Sequence, residues 1–143
     1  MTEPKNIGNI AEMCVIAEFV KNDIPVSLPF GDNQPYDIVI DTKMGFKSVQ
    51  VKNGSLKNGS ITVDIRKRIG AKRINYTTYN GLVDFIAVWC DDTNECYLLD
   101  INECGEQLYI VFRIAPPKNN SCNTKIRWAK NYLLKDKVLS FKK

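Results

Sequence analysis

The sequence predicts a mixed α/β (α+β) fold, in which a β-sheet flanked by helices follows an N-terminal helix. Apolar residues recur at helical spacing over residues 7–20, and apolar and polar residues alternate in several later runs. Residues 85–89 are apolar throughout, which is typical of a central strand covered on both faces. A chain of 143 residues is expected to form one domain, 1–143, whose core needs no disulfide or structural metal.

Each element follows from a local pattern. The first helix is predicted over residues 7–20, with Asn6 or Asn9 available as its N-cap. The Pro, Gly and Asp content of residues 29–35 (PFGDNQP) predicts a loop. Strands are predicted over 26–28, 36–41, 46–52, 60–65, 85–89, 97–99 and 108–112, and a final helix over about 123–134, whereas 66–82 are ambiguous.

The chain contains no histidine and five cysteines. Without histidine it cannot use a Ser-His-Asp or Cys-His arrangement, a His-ligated zinc or a histidine general base. The odd number of cysteines and the lack of a C-x-x-C pair argue against a disulfide framework and a zinc knuckle. We therefore expect packed, reduced thiols in the cytoplasm. No stretch approaches the length of a membrane span, so no membrane contact is expected. The cysteines are Cys14, Cys90, Cys96, Cys104 and Cys122.

The net charge of +4 conceals two concentrated basic segments on an acidic remainder. Residues 52–73 contain seven Lys or Arg and one acidic residue, and residues 125–143 contain the same numbers. Such segments are typical of proteins that neutralise nucleic-acid phosphates. A solvated face is the favoured interpretation of the C-terminal segment, whereas nucleic-acid contact is favoured for the internal one. The candidate DNA-binding residues are Lys57, Arg66, Lys67, Arg68, Lys72 and Arg73.

The hairpin predicted over 36–52 brings polar side chains together. If Asp41 pairs with Phe46 across the turn, Asp37 lies opposite Gln50, and Lys52 lies one diagonal step further along. Because side chains alternate between the faces of a strand, all three lie on the same face. A register shifted by one residue would separate them.

Glu12 lies within the apolar pattern of the first helix, with Val15 among its neighbours three and four residues away. A buried carboxylate needs a partner. Glu12 either points to solvent at the edge of the apolar stripe, pairs with Lys52, or joins Asp37 and Gln50 in an all-oxygen site. Such a site suits a hard divalent cation such as Mg²⁺, which needs neither His nor Cys.

The order of these motifs resembles the PD-(D/E)XK nuclease superfamily. A helix bearing Glu12 (GNIAE) is followed by Pro35-Tyr36-Asp37 and then by Gln50-Val51-Lys52. The stretches IPVSLPFGDNQPYDIVID, VQVK, YNGLVDFIAV and IRWAKNY more specifically resemble the small PD-(D/E)XK homing endonucleases associated with group I introns. This resemblance extends over most of the chain, and it implies a restriction-endonuclease-like core with a central mixed β-sheet flanked by helices.

The resemblance also implies roles for individual residues. Asp37 matches the motif aspartate and would ligate the metal, and Lys52 matches the motif lysine. Gln50 stands where the family usually has Asp or Glu, which removes one negative charge that Glu12 would restore. The backbone carbonyl of Val51 is a further expected ligand. The implied cofactor is Mg²⁺, for which Mn²⁺ would substitute.

The function implied is Mg²⁺-dependent, site-specific hydrolysis of double-stranded DNA, of the intron-homing type. Two alternatives remain open: a structure-selective nuclease of the Holliday-junction type, and a non-catalytic DNA-binding module on the same fold. Because one site hydrolyses one strand, a double-strand cut implies a homodimer or a homotetramer.

Overall fold

The first helix, α1 (Pro4–Lys21), begins earlier than the sequence predicts. This computed structural model describes residues 3–70, 75–116 and 125–143. Glu3 is the N-cap and makes no side-chain capping bond, so neither Asn6 nor Asn9 caps the helix. Pro4 instead starts the helix at a position where its missing N–H has no intrahelical partner to lose. The helix ends at Asn22, whose side-chain amide donates to the carbonyl oxygen of Glu18 at 2.8 Å.

The buried face of α1 is narrower than its apolar content suggests. Ala11, Val15 and Phe19 are at most 1% exposed and follow one row along the helix at a spacing of four. Ile10 and Val20, two of the apolar residues whose helical spacing predicts a stripe over residues 7–20, are 48% and 55% exposed. The predicted stripe is therefore displaced from the observed one, and the observed row adjoins Glu12.

Seven of the strands in the described ranges form one mixed sheet. Its order is β1-β2-β3-β4-β9, with β7 pairing parallel to β3 and β8 pairing antiparallel to β7. The remaining two strands, β5 and β6, form a separate antiparallel hairpin. The strands are β1 (Val26–Ser27), β2 (Ile38–Thr42), β3 (Gly45–Lys57), β4 (Ser60–Asp64), β5 (Lys67–Ile69), β6 (Asn75–Thr77), β7 (Phe85–Cys90), β8 (Glu95–Asp100) and β9 (Tyr109–Arg113).

Strand β3 is the central strand of this sheet, because it pairs with β2, β7 and β4. It is longer than the predicted strand over 46–52 and continues through the Gly- and Asn-containing residues 53–57. Asp41 pairs with Phe46, which confirms the predicted register of the hairpin. Ile38 and Val49 form another pair in the same register, and both side chains are fully buried.

Both faces of the sheet are covered, as the apolar run at 85–89 predicts. On one face, Ala87 and Trp89 of β7 pack in the cluster that contains the buried row of α1. On the other face, Ile86 and Val88 pack in a cluster formed with β4, β8 and β9. This alternation along β7 fixes which side chains of the adjacent β3 point towards α1.

The predicted C-terminal helix over 123–134 is wrong in its described part. Residues 123 and 124 lie outside the described ranges, and the backbone from 125 to 128 is not helical. The carbonyl of Arg127 accepts from the N–H of Arg113, and the carbonyl of Tyr132 accepts from the N–H of Leu98, both at 2.8 Å. These bonds to the sheet replace helical ones. Short helical segments are Ala129–Asn131 (3-10), α2 (Leu134–Lys137), Val138–Ser140 (3-10) and, after β8, Ile101–Glu103 (3-10).

The thiols of Cys14, Cys90, Cys96 and Cys104 are free, and Cys122 lies outside the described residues. The last three of these free thiols are buried, consistent with packing roles. Among the helices that the structure describes, none is long and apolar enough to cross a membrane.

Candidate active site

Asp37 is held at the entrance to β2. Its backbone N–H donates at 2.9 Å to the carbonyl of Val49, the residue that pairs with Ile38. Its Oδ2 accepts from the backbone N–H of Val51, also at 2.9 Å. Burial raises the pKa of Asp37, while the Val51 N–H and the ammonium group of Lys52 oppose that rise. Hydrogen bonds to the backbone of β3 therefore orient and restrain this carboxylate.

Glu12 approaches Asp37 from α1. It is half-buried and directly follows Ala11 of the buried row. Burial raises the pKa of Glu12, and the nearby Asp37 carboxylate raises it further. Both side chains line a cavity of about 270 Å³, together with the loop that includes Asp32 and Gln34. A second negative charge beside a half-buried carboxylate is unfavourable unless a cation lies between them.

Gln50 lies on β3 and lines a second cavity, of about 530 Å³, that also contains Asp37. Its side-chain Nε2 lies 3.4 Å from the carbonyl oxygen of Val51. The amide oxygen of this side chain is neutral and of the hard type that Mg²⁺ accepts. Asp37 lines both cavities, as do Asp32 and Gln34, so these residues connect the Glu12 side and the Gln50 side of the site.

Lys52 does not pair with Glu12, so that alternative is not observed. Its Nζ lies 3.4 Å from the carbonyl oxygen of Arg66 and 3.3 Å from the hydroxyl oxygen of Tyr79. Burial lowers the pKa of Lys52, whereas the carboxylates of Asp64 and Asp37 oppose that change. Burial raises the pKa of Tyr79 to about 12, so its hydroxyl is protonated at neutral pH.

Tyr79 and Asp64 are neighbours of Lys52 to which sequence reasoning gave no role at the site. Tyr79 lies 27 residues from Lys52 along the chain, in the segment whose structure the sequence left ambiguous. No spacing rule connects the two positions. The nearest signal was the clustering of tyrosines with basic residues, which is equally compatible with core packing.

The basic residues of the internal segment fall into different environments. Lys67 and Arg68 line the 530 Å³ cavity with Asp37 and Gln50, and thus face the candidate site. Lys57 is exposed at the last position of β3. Lys72 and Arg73 lie outside the described residues.

Arg66 is occupied within the protein. Its guanidinium donates to both carboxylate oxygens of Asp64, at 3.0 and 2.8 Å. It also lies over the rings of Tyr76 and Tyr109, with its central carbon 4.0 and 5.0 Å from their centroids. This bidentate pair lowers the pKa of Asp64. These contacts hold the residue that precedes β5 close to β9. A DNA contact by Arg66 would have to compete with them.

The donor set can be tested against the metal that the resemblance implies. Within residues 3–70, 75–116 and 125–143, no three His, Cys, Asp or Glu side chains are grouped as a metal site. The oxygens available are the two carboxylates of Glu12 and Asp37, the amide oxygen of Gln50 and the carbonyl of Val51. These are hard donors, as Mg²⁺ prefers, and a cation would reverse the repulsion that raises the pKa of Glu12. The residues present therefore fit a divalent cation that keeps some of its water.

Comparison with known families assigns the class of protein that this fold and site represent. The PD-(D/E)XK endonuclease family matches the chain over residues 2–135. The chain therefore belongs to the PD-(D/E)XK endonuclease family.

Among solved structures, the chain is similar to a bacterial homing endonuclease, I-Ssp6803I. The two share 23% sequence identity with a TM-score of 0.75, and the alignment covers 97% of this chain and 94% of that one. At this identity the similarity establishes the restriction-endonuclease-like fold. No curated protein sequence matches the chain.

Proposed function

We propose that the protein is a divalent-metal-dependent DNA endonuclease that hydrolyses phosphodiester bonds at specific sites in double-stranded DNA. The observation that carries this proposal is the convergence of Asp37 and Gln50 with two cations, Lys67 and Arg68, around one cavity. Acidic and amide oxygens on one side and basic groups on the other suit a metal ion and a DNA phosphate, respectively. Membership of the PD-(D/E)XK endonuclease family supports the same reaction.

Glu12, Asp37, Gln50 and the carbonyl of Val51 are the residues that would hold Mg²⁺, with Mn²⁺ as its substitute. When bound, the cation would polarise the scissile phosphate and lower the pKa of a bound water. Gln50 in place of an acidic residue leaves two carboxylates in the set. The charge on the set then matches that of one divalent ion.

Lys52 acts electrostatically in this proposal. Its ammonium group lies among the carboxylates of Asp37 and Asp64, both of which favour its charged form. A fixed positive charge beside the reacting phosphate stabilises the negative charge that grows in the transition state. Asp37, restrained by the Val51 N–H, keeps the metal-binding oxygens in register with this lysine.

DNA binding is assigned to the basic internal segment. Lys67 and Arg68 border the candidate site and would contact phosphates there. Lys57, Arg66, Lys72 and Arg73 are the further proposed DNA contacts, with Arg66 dependent on release from Asp64. Because one site cuts one strand, we propose a homodimer or homotetramer acting on double-stranded DNA in the cytoplasm. Intron homing is the proposed biological setting, following the sequence resemblance.

The direct test is cleavage of plasmid and randomised linear DNA by the purified chain with EDTA, Mg²⁺ or Mn²⁺. We expect metal-dependent cleavage that yields discrete ends, and its loss by about 100-fold or more in Asp37→Asn and in Lys52→Met. The matched control is Asp41→Asn, in β2 four residues further along the chain, whose carboxylate pairs with Lys143 at 3.0 Å. Full activity in Asp37→Asn or Lys52→Met would refute the site.

A further inference from the structure

The residues that flank the β5–β6 hairpin contact the ammonium group of Lys52. Arg66, which directly precedes β5, places its main-chain oxygen 3.4 Å from Lys52 Nζ. Tyr79, two residues beyond β6, places its hydroxyl oxygen 3.3 Å from the same nitrogen. The two ends of the segment that carries the hairpin thus hold one ammonium group between them.

Tyr79 contacts this ammonium in two ways. Besides the hydroxyl contact, Lys52 Nζ lies 4.9 Å from the centroid of the Tyr79 ring, within the range of a cation–π interaction. Tyr79 is itself fixed: it is 8% exposed, packs in the buried cluster that contains Val83, and its carbonyl accepts from the N–H of Leu82 at 2.9 Å. A rigid aromatic residue therefore restrains a long, flexible side chain.

We propose that Tyr79 is a positioning residue, which aims the Lys52 ammonium at the reacting phosphate and couples it to the basic hairpin. This inference rests on the proposed function. Lysine has a flexible four-carbon stem whose rotamers must be restricted before its charge can act at one point. Because Lys67 and Arg68 lie on β5, the anchor that fixes Lys52 also fixes its distance from the groups that would bind DNA.

The contacts that hold Arg66 in place support this coupling on the β5 side of the hairpin base. The Arg66 carbonyl can restrain Lys52 only if its own residue is held in place. The bidentate pair with Asp64 and the stacking on Tyr76 supply that restraint. The hairpin base is thus fixed on both sides of the ammonium group.

The test is the variant Tyr79→Phe, which keeps the ring and removes the hydroxyl. We expect the single-turnover cleavage rate at saturating protein to fall about 10-fold, because a hydrogen bond to a charged group is lost. The DNA dissociation constant, measured without added metal, should stay within about 2-fold, because no proposed phosphate contact changes. Tyr97→Phe is the matched control: Tyr97 is 3% exposed and its hydroxyl donates to Thr93 at 3.0 Å.

Each outcome separates the inference from the proposed function. A slower Tyr79→Phe with unchanged DNA affinity, beside a fully active Tyr97→Phe, supports the positioning role. A wild-type rate in Tyr79→Phe, together with an inactive Lys52→Met, overturns the positioning role alone. An equal loss of rate in Tyr97→Phe also overturns it, because the loss would then reflect general stability. Full activity in Lys52→Met would overturn the proposed function itself.

Discussion

Gly54 is the position where the sheet leaves no room for a side chain. It lies on β3 and pairs with Val63 of β4 and Cys90 of β7. A Cβ atom at this position would lie 2.7 Å from Cγ2 of Ile61 and 2.9 Å from Cγ1 of Val88, both fully buried. Both neighbours are β-branched and stiff at χ1, so neither can turn aside without disturbing its strand. We expect Gly54→Ala to lower the free energy of unfolding by about 2 kcal/mol, as overpacked cores do.

For a chain of this size, that loss corresponds to a fall of about 8 °C in the thermal midpoint, measured by circular dichroism or calorimetry. Gly8→Ala is the matched control, because a Cβ there meets no atom within 4 Å and Gly8 lies inside α1. That control should instead gain about 0.5–1 kcal/mol. A Gly54→Ala protein as stable as the wild type would refute the close approach of the strands at this point.

Three further predictions concern the candidate site. Asp37→Asn should raise the free energy of unfolding at neutral pH, because the pKa of Asp37 is higher in the folded protein than in the unfolded chain and its ionisation therefore favours unfolding. Calorimetry should show that this stabilisation decreases as the pH falls through the raised pKa and is lost below the ordinary value of 3.8. Lys67→Ala and Arg68→Ala should each reduce the salt dependence of DNA binding by about one unit of slope, with Lys135→Ala as control, and an unchanged slope would contradict their assignment. Glu12→Gln should raise the Mg²⁺ concentration needed for half-maximal cleavage, and an unaltered titration would remove Glu12 from the metal set.

The hairpin shows what the sequence can predict. Its register follows from a short turn between two alternating segments, and a shift by one residue would have exposed Ile38 and Val49. Local pattern therefore sufficed to place Asp37 near Gln50. The charge of Glu12 beside apolar residues likewise singled it out, and it lines a cavity with Asp37 even though the predicted stripe of α1 is displaced from the buried one.

The contacts of Lys52 could not be predicted from local sequence pattern. Its contacts with Arg66 and Tyr79 join residues 14 and 27 positions away, and those two residues flank the β5–β6 hairpin. Sequence periodicity does not predict contacts between residues so far apart along the chain. The C-terminal segment failed for a related reason: helical spacing was present, but the carbonyls of Arg127 and Tyr132 pair with the sheet instead.

The site conflicts with the stability of the fold that carries it. Burial raises the pKa of both Glu12 and Asp37 and lowers that of Lys52, so each charged form is disfavoured where it lies. A third carboxylate at position 50 would add repulsion to a site in which the Asp37 carboxylate already raises the pKa of Glu12. Gln50 would keep an oxygen donor there without that charge. Glutamine at this position thus avoids an added electrostatic cost in the metal-free fold. Under the proposed function the second negative charge comes from Glu12, which α1 brings to the same cavity as Asp37.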